Sequence, residues 1–316
     1  MVAKSLNHNK TLPAHLAMLL ATTLWGAMSP IAKGVLEEGE IGGIALSAIR
    51  ITGGALLFAL AAFLPKRLTG DQRVEFKDLK PLFIASVLMI SLNQGLFIIG
   101  IEFTTPIDTT VMCTLTPVFT LIFAAMFIGM PMTPLKTLGV VLGLAGALIM
   151  AFTESSSSIA INPLLGDLLC MLAQICAALY YVFFLGIINK YPPFTIMKWM
   201  FLFSAFTYVP CTLPWLNDVN WNVLQGLTWW SLAYIIIFPT FIAYLIIPFS
   251  QKLLKPTVIS MYAYFQPVVA AILATIMGLA AFGWTRISAT VLIFIGVFLV
   301  SVATKNVNSS SPSKHC

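Results

Sequence analysis

The sequence predicts an all-α polytopic membrane protein whose ten transmembrane helices form two inverted five-helix repeats. Of its 316 residues, 59% are hydrophobic and only 9% are charged, a composition that fits a surface solvated by lipid. One apolar block also follows another at an offset of 150 residues, so that Pro106 corresponds to Pro256 and Pro117 to Pro267. The loops that flank the two copies differ in charge, which is typical of a unit inserted in both orientations.

The predicted spans are stretches with the roughly 20 apolar residues that a helix needs to cross the hydrocarbon core. In chain order they are 14–36, 43–64, 82–102, 106–128, 133–152, 164–188, 194–213, 229–249, 256–278 and 284–303. Five lie on each side of the polar connector 153–162, so we expect one repeat at 14–152 and a second, inverted repeat at 164–303. An odd number of spans per repeat forces the second copy into the opposite orientation.

The basic residues indicate how the chain is oriented. With the N-terminus in the cytoplasm, all of the 17 Lys and Arg residues except Lys33, Arg50 and Arg286 fall at cytoplasmic ends and loops. This distribution predicts a multi-pass protein of the plasma (inner) membrane with both termini cytoplasmic. The apolar run from Ala14 is too long for a cleaved signal peptide, and we interpret it as the first span.

The expected partners are the lipid bilayer and a small-molecule substrate. The cations are spread over short connectors, whereas nucleic-acid binding needs them clustered on one face, so we expect no nucleic-acid partner. The sequence leaves the oligomeric state open.

Two prolines mark breaks in the middle of the membrane. Pro117 and Pro267 each lie eleven residues after the first proline of their span, hence about 16 Å deeper and near the midplane. A proline inside a helix frees the carbonyl four residues earlier, here that of Cys113 or Ala263. Such a pair at matching depth favours a central binding site over kinks that only improve packing.

Polar side chains at this depth need a partner or a water-lined cavity, which makes them candidates for substrate contact. The candidates are Trp25, Arg50, Asn93, Gln94, Thr116, Gln174, Tyr244, Tyr262 and Gln266. Arg50, the deepest cation, either receives an anionic group of the substrate or pairs with a protein acid. The adjacent amides of Asn93 and Gln94 either line a cavity or bond between helices. Lys33, near the outer end of its span, is expected to snorkel.

Two further features carry alternatives. Asp108 is either a coupling acid or the capping acid of a helix that starts at Thr105 and Pro106. Gly139 and Gly143, with Gly146, offer a smooth face that favours intrachain helix packing over dimerisation.

The parts of a membrane enzyme are missing from the sequence. The three histidines, at positions 8, 15 and 315, lie at the chain ends, and there is no P-loop, zinc-binding spacing or nucleophile motif. We therefore expect no enzymatic activity, no cofactor and no metal site, and we interpret the cysteines as small buried apolar residues. A polytopic membrane enzyme and a passive channel remain the alternatives to a carrier.

Short motifs in both halves together resemble a known unit. They are Leu24-Trp25-Gly26, Arg50, Thr116-Pro117-Val118 and Gly129 in the first half, and Gly166-Asp167, Gln266-Pro267-Val268 and Gly296 in the second. This set resembles the EamA unit of the drug/metabolite transporter superfamily. Gly129-Met130 and Gly278-Leu279 stand where that family usually has Gly-Glu, and the second unit lacks a tryptophan near Ala177.

The resemblance implies a ten-helix bundle around a central cavity that exports amino acids or other small metabolites by alternating access. Together with the inverted repeat, it predicts a secondary transporter for a small metabolite, such as an amino acid or a related zwitterion. No ATP-binding segment is present, so proton or substrate antiport is the expected source of energy.

Overall fold

The computed structural model describes residues 8–104, 109, 112–153, 161–276 and 284–309, and these are all-helical or connecting, without β-strand. The long helices of the first part are α1 (His8–Glu37), α2 (Gly43–Ala61), α3 (Phe76–Phe103), α4 (Thr116–Ile128) and α5 (Pro134–Thr153). Those of the second part are α6 (Pro163–Phe183), α7 (Pro193–Asn217), α8 (Gly226–Gln251), α9 (256–276) and α10 (Trp284–Ser309). Short helices Lys66–Thr69 and Leu185–Lys190 lie in connectors.

Several of these helices can span a membrane. Within the described residues, six are long and apolar enough by length and composition, namely α1, α2, α3, α6, α7 and α8. Shorter apolar helical segments occur in α4, α5 and α10. Large apolar side chains cover the outside of the bundle, including Leu12, Leu16 and Leu20 along α1 and Phe294 and Phe298 on α10. An outer surface of this kind is suited to lipid.

Some predicted span boundaries differ from the structure. The stretch 164–188 is not one helix, because α6 ends at Phe183 and a separate short helix begins at Leu185. The span expected at 82–102 begins at Phe76, and the last helix runs to Ser309, because helices continue into polar flanks that a hydropathy count leaves out. Residues 106–108 and 110–111 of the span expected at 106–128 lie outside the described residues.

The helices repeat at the offset of 150 residues found in the sequence. α2 begins at Gly43 and α7 at Pro193, while α3 begins at Phe76 and α8 at Gly226. The correspondence extends to an unusual detail. α3 and α8 each contain one π-helical turn, Val87–Leu92 and Ile237–Ile242 respectively.

Repeat partners α5 and α10 pack against each other through glycines and run antiparallel. Gly139 lies against Gly296 and Val300, whereas Gly146 lies against Ala289. The residue numbers of the contacts therefore fall along α10 as they rise along α5. The backbones approach so closely that a Cβ atom added at Gly296 would lie 2.6 Å from the Gly139 carbonyl oxygen. The small-residue face therefore serves intrachain packing, as the sequence predicted.

Repeat partners α2 and α7 are also antiparallel. The hydroxyls of Ser47 and Tyr208 lie 2.7 Å apart at one end of the contact. At the other end, Phe58 stacks on Phe201, with ring centroids 5.1 Å apart. Gly54 lies between these positions and leaves room for the Phe201 ring. This aromatic cluster forms the centre of the larger of two buried cores.

Lys33 does not snorkel, contrary to the expectation from sequence. Its side chain is buried, and the ammonium group donates to the backbone carbonyls of Ile101, Glu102 and Thr104 at 3.2, 3.3 and 3.1 Å. These carbonyls lie at the C-terminal end of α3, where a cation interacts favourably with the helix dipole. Lys33 therefore ties α1 to the end of α3.

Candidate functional site

A cavity lies between the two halves of the chain, with about 610 Å³ of empty space, part of it open to the outside. Repeat partners line it together: Gln94 with Tyr244, Thr116 with Gln266, and Cys113 with Ala263. Residues that correspond at the offset of 150 therefore converge on one space.

Eight of the nine predicted substrate-contact residues line this cavity. They are Trp25, Arg50, Asn93, Gln94, Thr116, Gln174, Tyr244 and Gln266. The ninth, Tyr262, does not. It lies in the 3-10 turn Tyr262–Tyr264, and its hydroxyl is 2.6 Å from His15 Nδ1 on α1. The 3-10 turn changes the angular position of side chains, so its neighbours Ser260 and Ala263 face the cavity instead.

Arg50 is held by a threonine on the facing half of the chain. Pro239 has no N–H to donate to the Ile235 carbonyl, and the Thr240 hydroxyl donates to that carbonyl at 2.7 Å. The oxygen of this hydroxyl then accepts from Arg50 Nε at 3.0 Å. With Nε engaged, the terminal nitrogens of the guanidinium are the groups left for a ligand in the cavity.

Trp25 is fixed by the same π-helical turn. Its Nε1 donates to the Pro239 carbonyl at 2.8 Å. Its ring meets that of Tyr244 edge to face, with centroids 5.6 Å apart, and Tyr244 in turn packs edge to face on Phe201. The π-helical turn of α8 thus positions side chains from both α1 and α2, in keeping with the frequent occurrence of such turns at functional sites.

Gln94 is the least satisfied polar side chain of the cavity. It is 1% exposed, and neither its amide nitrogen nor its amide oxygen has a hydrogen-bond partner among the described residues. Its repeat partner Tyr244 lines the same cavity. An unpaired buried amide costs about 1–3 kcal/mol, so this group gains from a ligand.

Two of the other amides have partners within the protein. Asn93 Nδ2 donates to the Ala173 carbonyl at 2.8 Å, which is the interhelix bond that sequence reasoning left open. The Thr116 hydroxyl lies 2.8 Å from the Cys113 carbonyl oxygen and 2.8 Å from Gln174 Oε1. Both amides therefore line the cavity and also tie α6 to the first half of the chain.

Helix interruptions lie just before both prolines. A turn at Thr114 and Leu115 precedes α4, in which Pro117 is the second residue. In α9 the 3-10 turn ends at Tyr264, three positions before Pro267. The carbonyl of Cys113 is bonded as described above. Asp108 lies outside the described residues.

Sequence reasoning missed two groups of residues at this site. One is the apolar lining, chiefly Met18, Met28, Met89 and Phe97. The positions 18, 22, 25 and 28 follow one face of α1, so helical spacing from Trp25 would have found them. The other is Thr240, which depth alone does not single out but which directly follows a proline inside an apolar helix.

The chain matches the model of the EamA-like transporter family at residues 12–152 and again at 164–302. It is 22% identical over 289 residues to an "Uncharacterized transporter" of Archaeoglobus fulgidus, covering 90% of this chain and 97% of that protein. It is 24% identical to "Uncharacterized transporter YdfC" of Bacillus subtilis, covering 84% of this chain and 83% of the relative.

The fold also matches a solved structure described as "Crystal structure of protein", with a TM-score of 0.71 and 18% identity. That match covers 95% of this chain and 98% of the other, and at this identity it shows the fold alone. The two family matches confirm the resemblance seen in the motifs. With its apolar spanning helices, this chain is a multi-pass membrane protein, and it belongs to the EamA-like transporter family.

Proposed function

We propose that the protein is a secondary carrier that moves a small metabolite by alternating access. The cavity carries this proposal, because residue pairs at the repeat offset line it from both halves of the chain. A site on the axis between two similar halves can open to either side as they rock against each other.

The proposed topology has ten spans in two inverted repeats, 14–152 and 164–303, with both termini cytoplasmic in the plasma membrane. The antiparallel packing of α5 with α10 and of α2 with α7 supports the inversion, since each pair consists of repeat partners. The excess of Lys and Arg in one set of loops supports the orientation.

Contacts between the halves lie at both ends of α1 and would act as alternating gates. Near its start, His15 meets Tyr262, and the Ala14 carbonyl accepts from Ser250 at 3.2 Å. Just past its end, Glu38 accepts from Thr228 at 2.5 Å. Alternating access requires the contacts at one end of α1 to break while those at the other end remain.

A polar clasp joins the halves on the proposed cytoplasmic face. Asp71 accepts from Thr195 at 2.9 Å and pairs with Lys198, which fastens the connector after α2 to the start of α7. At the end of the same connector, Glu75 accepts from Lys77 of α3 and from Lys190 of the second half, and these contacts hold the pKa of that carboxyl below its usual range. In this proposal the clasp and the contacts near the start of α1 together form the cytoplasmic gate.

For the substrate we propose an amino acid or a related small zwitterion, moved outward, with its anionic group on Arg50. Proton antiport or substrate exchange would drive it, with Asp108 as either the coupling acid or a helix cap. A sugar phosphate would need more positive charge than this cavity offers, since Arg50 is the one charged side chain among its described lining residues.

The test is counterflow into proteoliposomes loaded with unlabelled amino acids. The wild type should exchange labelled substrate, whereas Arg50→Met, which introduces the residue type found at its repeat partner Met200, should lose exchange and still elute as folded protein. Leu56→Ala, on the exposed face of the same helix, is the matched control and should transport normally. Normal exchange by Arg50→Met would overturn the role of Arg50.

The same assay addresses the alternatives. A passive channel would equilibrate the label without acceleration by substrate on the opposite side, whereas a carrier shows that acceleration. A membrane enzyme would convert the label chemically, which chromatography of the recovered substrate detects. The relatives named above are called transporters, which favours the carrier.

A further inference from the structure

The described lining of the cavity carries a positive charge and no negative charge. Arg50 is 2% exposed, and among the described lining residues no carboxylate accompanies it. Of the described acidic residues, none forms an ion pair with its guanidinium. A buried cation without a counter-charge is unfavourable, so an anion that enters the cavity is strongly favoured.

Gln94 supplies a second, independent feature of an anion subsite. Its buried amide has no hydrogen-bond partner, and its nitrogen is able to donate to an oxygen of the ligand. Arg50, Gln94 and Tyr244 line the same cavity. Two donors in one cavity suit the two oxygens of a carboxylate.

Part of the remaining wall is apolar and aromatic. Met18, Met28 and Met89 line it together with Phe97 and Ile259. Methionine side chains adapt to irregular apolar shapes, so this wall accommodates hydrocarbon groups of different form. An ammonium group in the cavity would meet no carboxylate among the described lining residues, only neutral acceptors such as the Gln94 amide oxygen and the Ser260 hydroxyl.

We propose that the cavity selects small carboxylates with an apolar body, through Arg50 and Gln94, and does not require the ammonium group of an amino acid. This inference rests on the proposed function in taking the cavity as the transport site. It predicts that a deaminated acid binds at least as well as the parent amino acid.

The experiment measures binding to the purified full-length protein by thermal shift, with three compounds that share one apolar side chain. They are leucine, 4-methylpentanoate (which lacks the ammonium group) and leucinamide (which lacks the carboxylate). A ligand that binds only the folded state raises the Tm by an amount that grows with the logarithm of its concentration relative to its Kd. The acid should match or exceed leucine, and the amide should give no shift.

Variants assign the effect to the proposed groups. Gln94→Leu should weaken binding of the acid about tenfold, the loss expected for one hydrogen bond to a charged group. Arg50→Met should abolish binding. Asp108→Asn should leave the ratio of acid to amino acid unchanged, because the proposal gives the ammonium group no carboxylate partner.

Several outcomes would overturn the inference. They are a shift with leucinamide equal to that with the acid, no shift with any of the three compounds, or a shift with leucine alone that Asp108→Asn removes. Binding of the acid without counterflow would leave this inference standing and remove the proposed carrier function. Equal counterflow of compounds with and without the carboxylate would support the carrier function and overturn this inference.

Discussion

Thr240 links local backbone chemistry to the cavity. Its hydroxyl donates to the carbonyl that Pro239 leaves free and accepts from Arg50, so one side chain both repairs the helix and orients the cation. A valine of the same shape would lose both bonds, whereas a serine would keep them. Thr240 is a positioning residue in this account, since it acts on a ligand only through Arg50.

We expect Thr240→Val to raise the KM for an anionic substrate about tenfold, because a hydrogen bond to a charged group is worth about 1.5–3 kcal/mol. Thr240→Ser should restore the wild-type KM. Initial rates in proteoliposomes provide both values. Equal KM values for the valine and serine variants would contradict the positioning role.

Gln94 offers a stability test that does not need a substrate. Replacing its amide by leucine removes two unpaired buried polar atoms, and we expect the Tm of the ligand-free protein to stay level or rise. Thermal unfolding followed by fluorescence measures this. A fall of the size seen when a buried hydrogen bond is broken would mean that the amide already has a partner.

At the scale of elements, the glycine contact between α5 and α10 fixes how the repeats meet. A Cβ at Gly296 would lie 2.6 Å from the Gly139 oxygen and 2.7 Å from the Gly143 nitrogen, and both are backbone atoms. The two helices would have to move apart. In lipid such close packing is a main source of helix association.

We therefore expect Gly296→Ala to lower the free energy of unfolding by about 1–3 kcal/mol, the usual cost of overpacking. The matched control is Gly34→Ala on α1, where an added Cβ has no atom within 4 Å. Thermal unfolding of the two variants in the same detergent compares them. If both variants unfold at the wild-type temperature, the contact contributes nothing to stability.

The sequence predicts how deep a residue lies along its helix better than it predicts the direction and partners of its side chain. Depth along a helix follows from residue number, and for this reason eight of nine predicted residues reach the cavity. Angular position does not follow where the helix changes type, and Tyr262 lies in a 3-10 turn. Hydropathy also does not predict that Lys33 donates hydrogen bonds to three backbone carbonyls, because those carbonyls belong to another helix.

At the scale of the whole molecule, helix boundaries and π-helical turns recur at one offset, and repeat partners pack antiparallel. The repeats differ at polar residues of the cavity. Arg50 corresponds to Met200, and Gln94 to Tyr244, so the fold repeats while the polar groups of the site do not. The proposed carrier would open alike to both sides but present one set of ligand contacts.

The most direct test of the inverted arrangement is sidedness of labelling at one pair of repeat positions. Arg67 and Asn217 are 150 residues apart and both exposed, and each can be changed to cysteine in a variant without the five native cysteines. In intact cells, an impermeant thiol reagent should label Asn217→Cys from outside and Arg67→Cys only after the membrane is opened. Labelling of both positions from the same side would contradict the account.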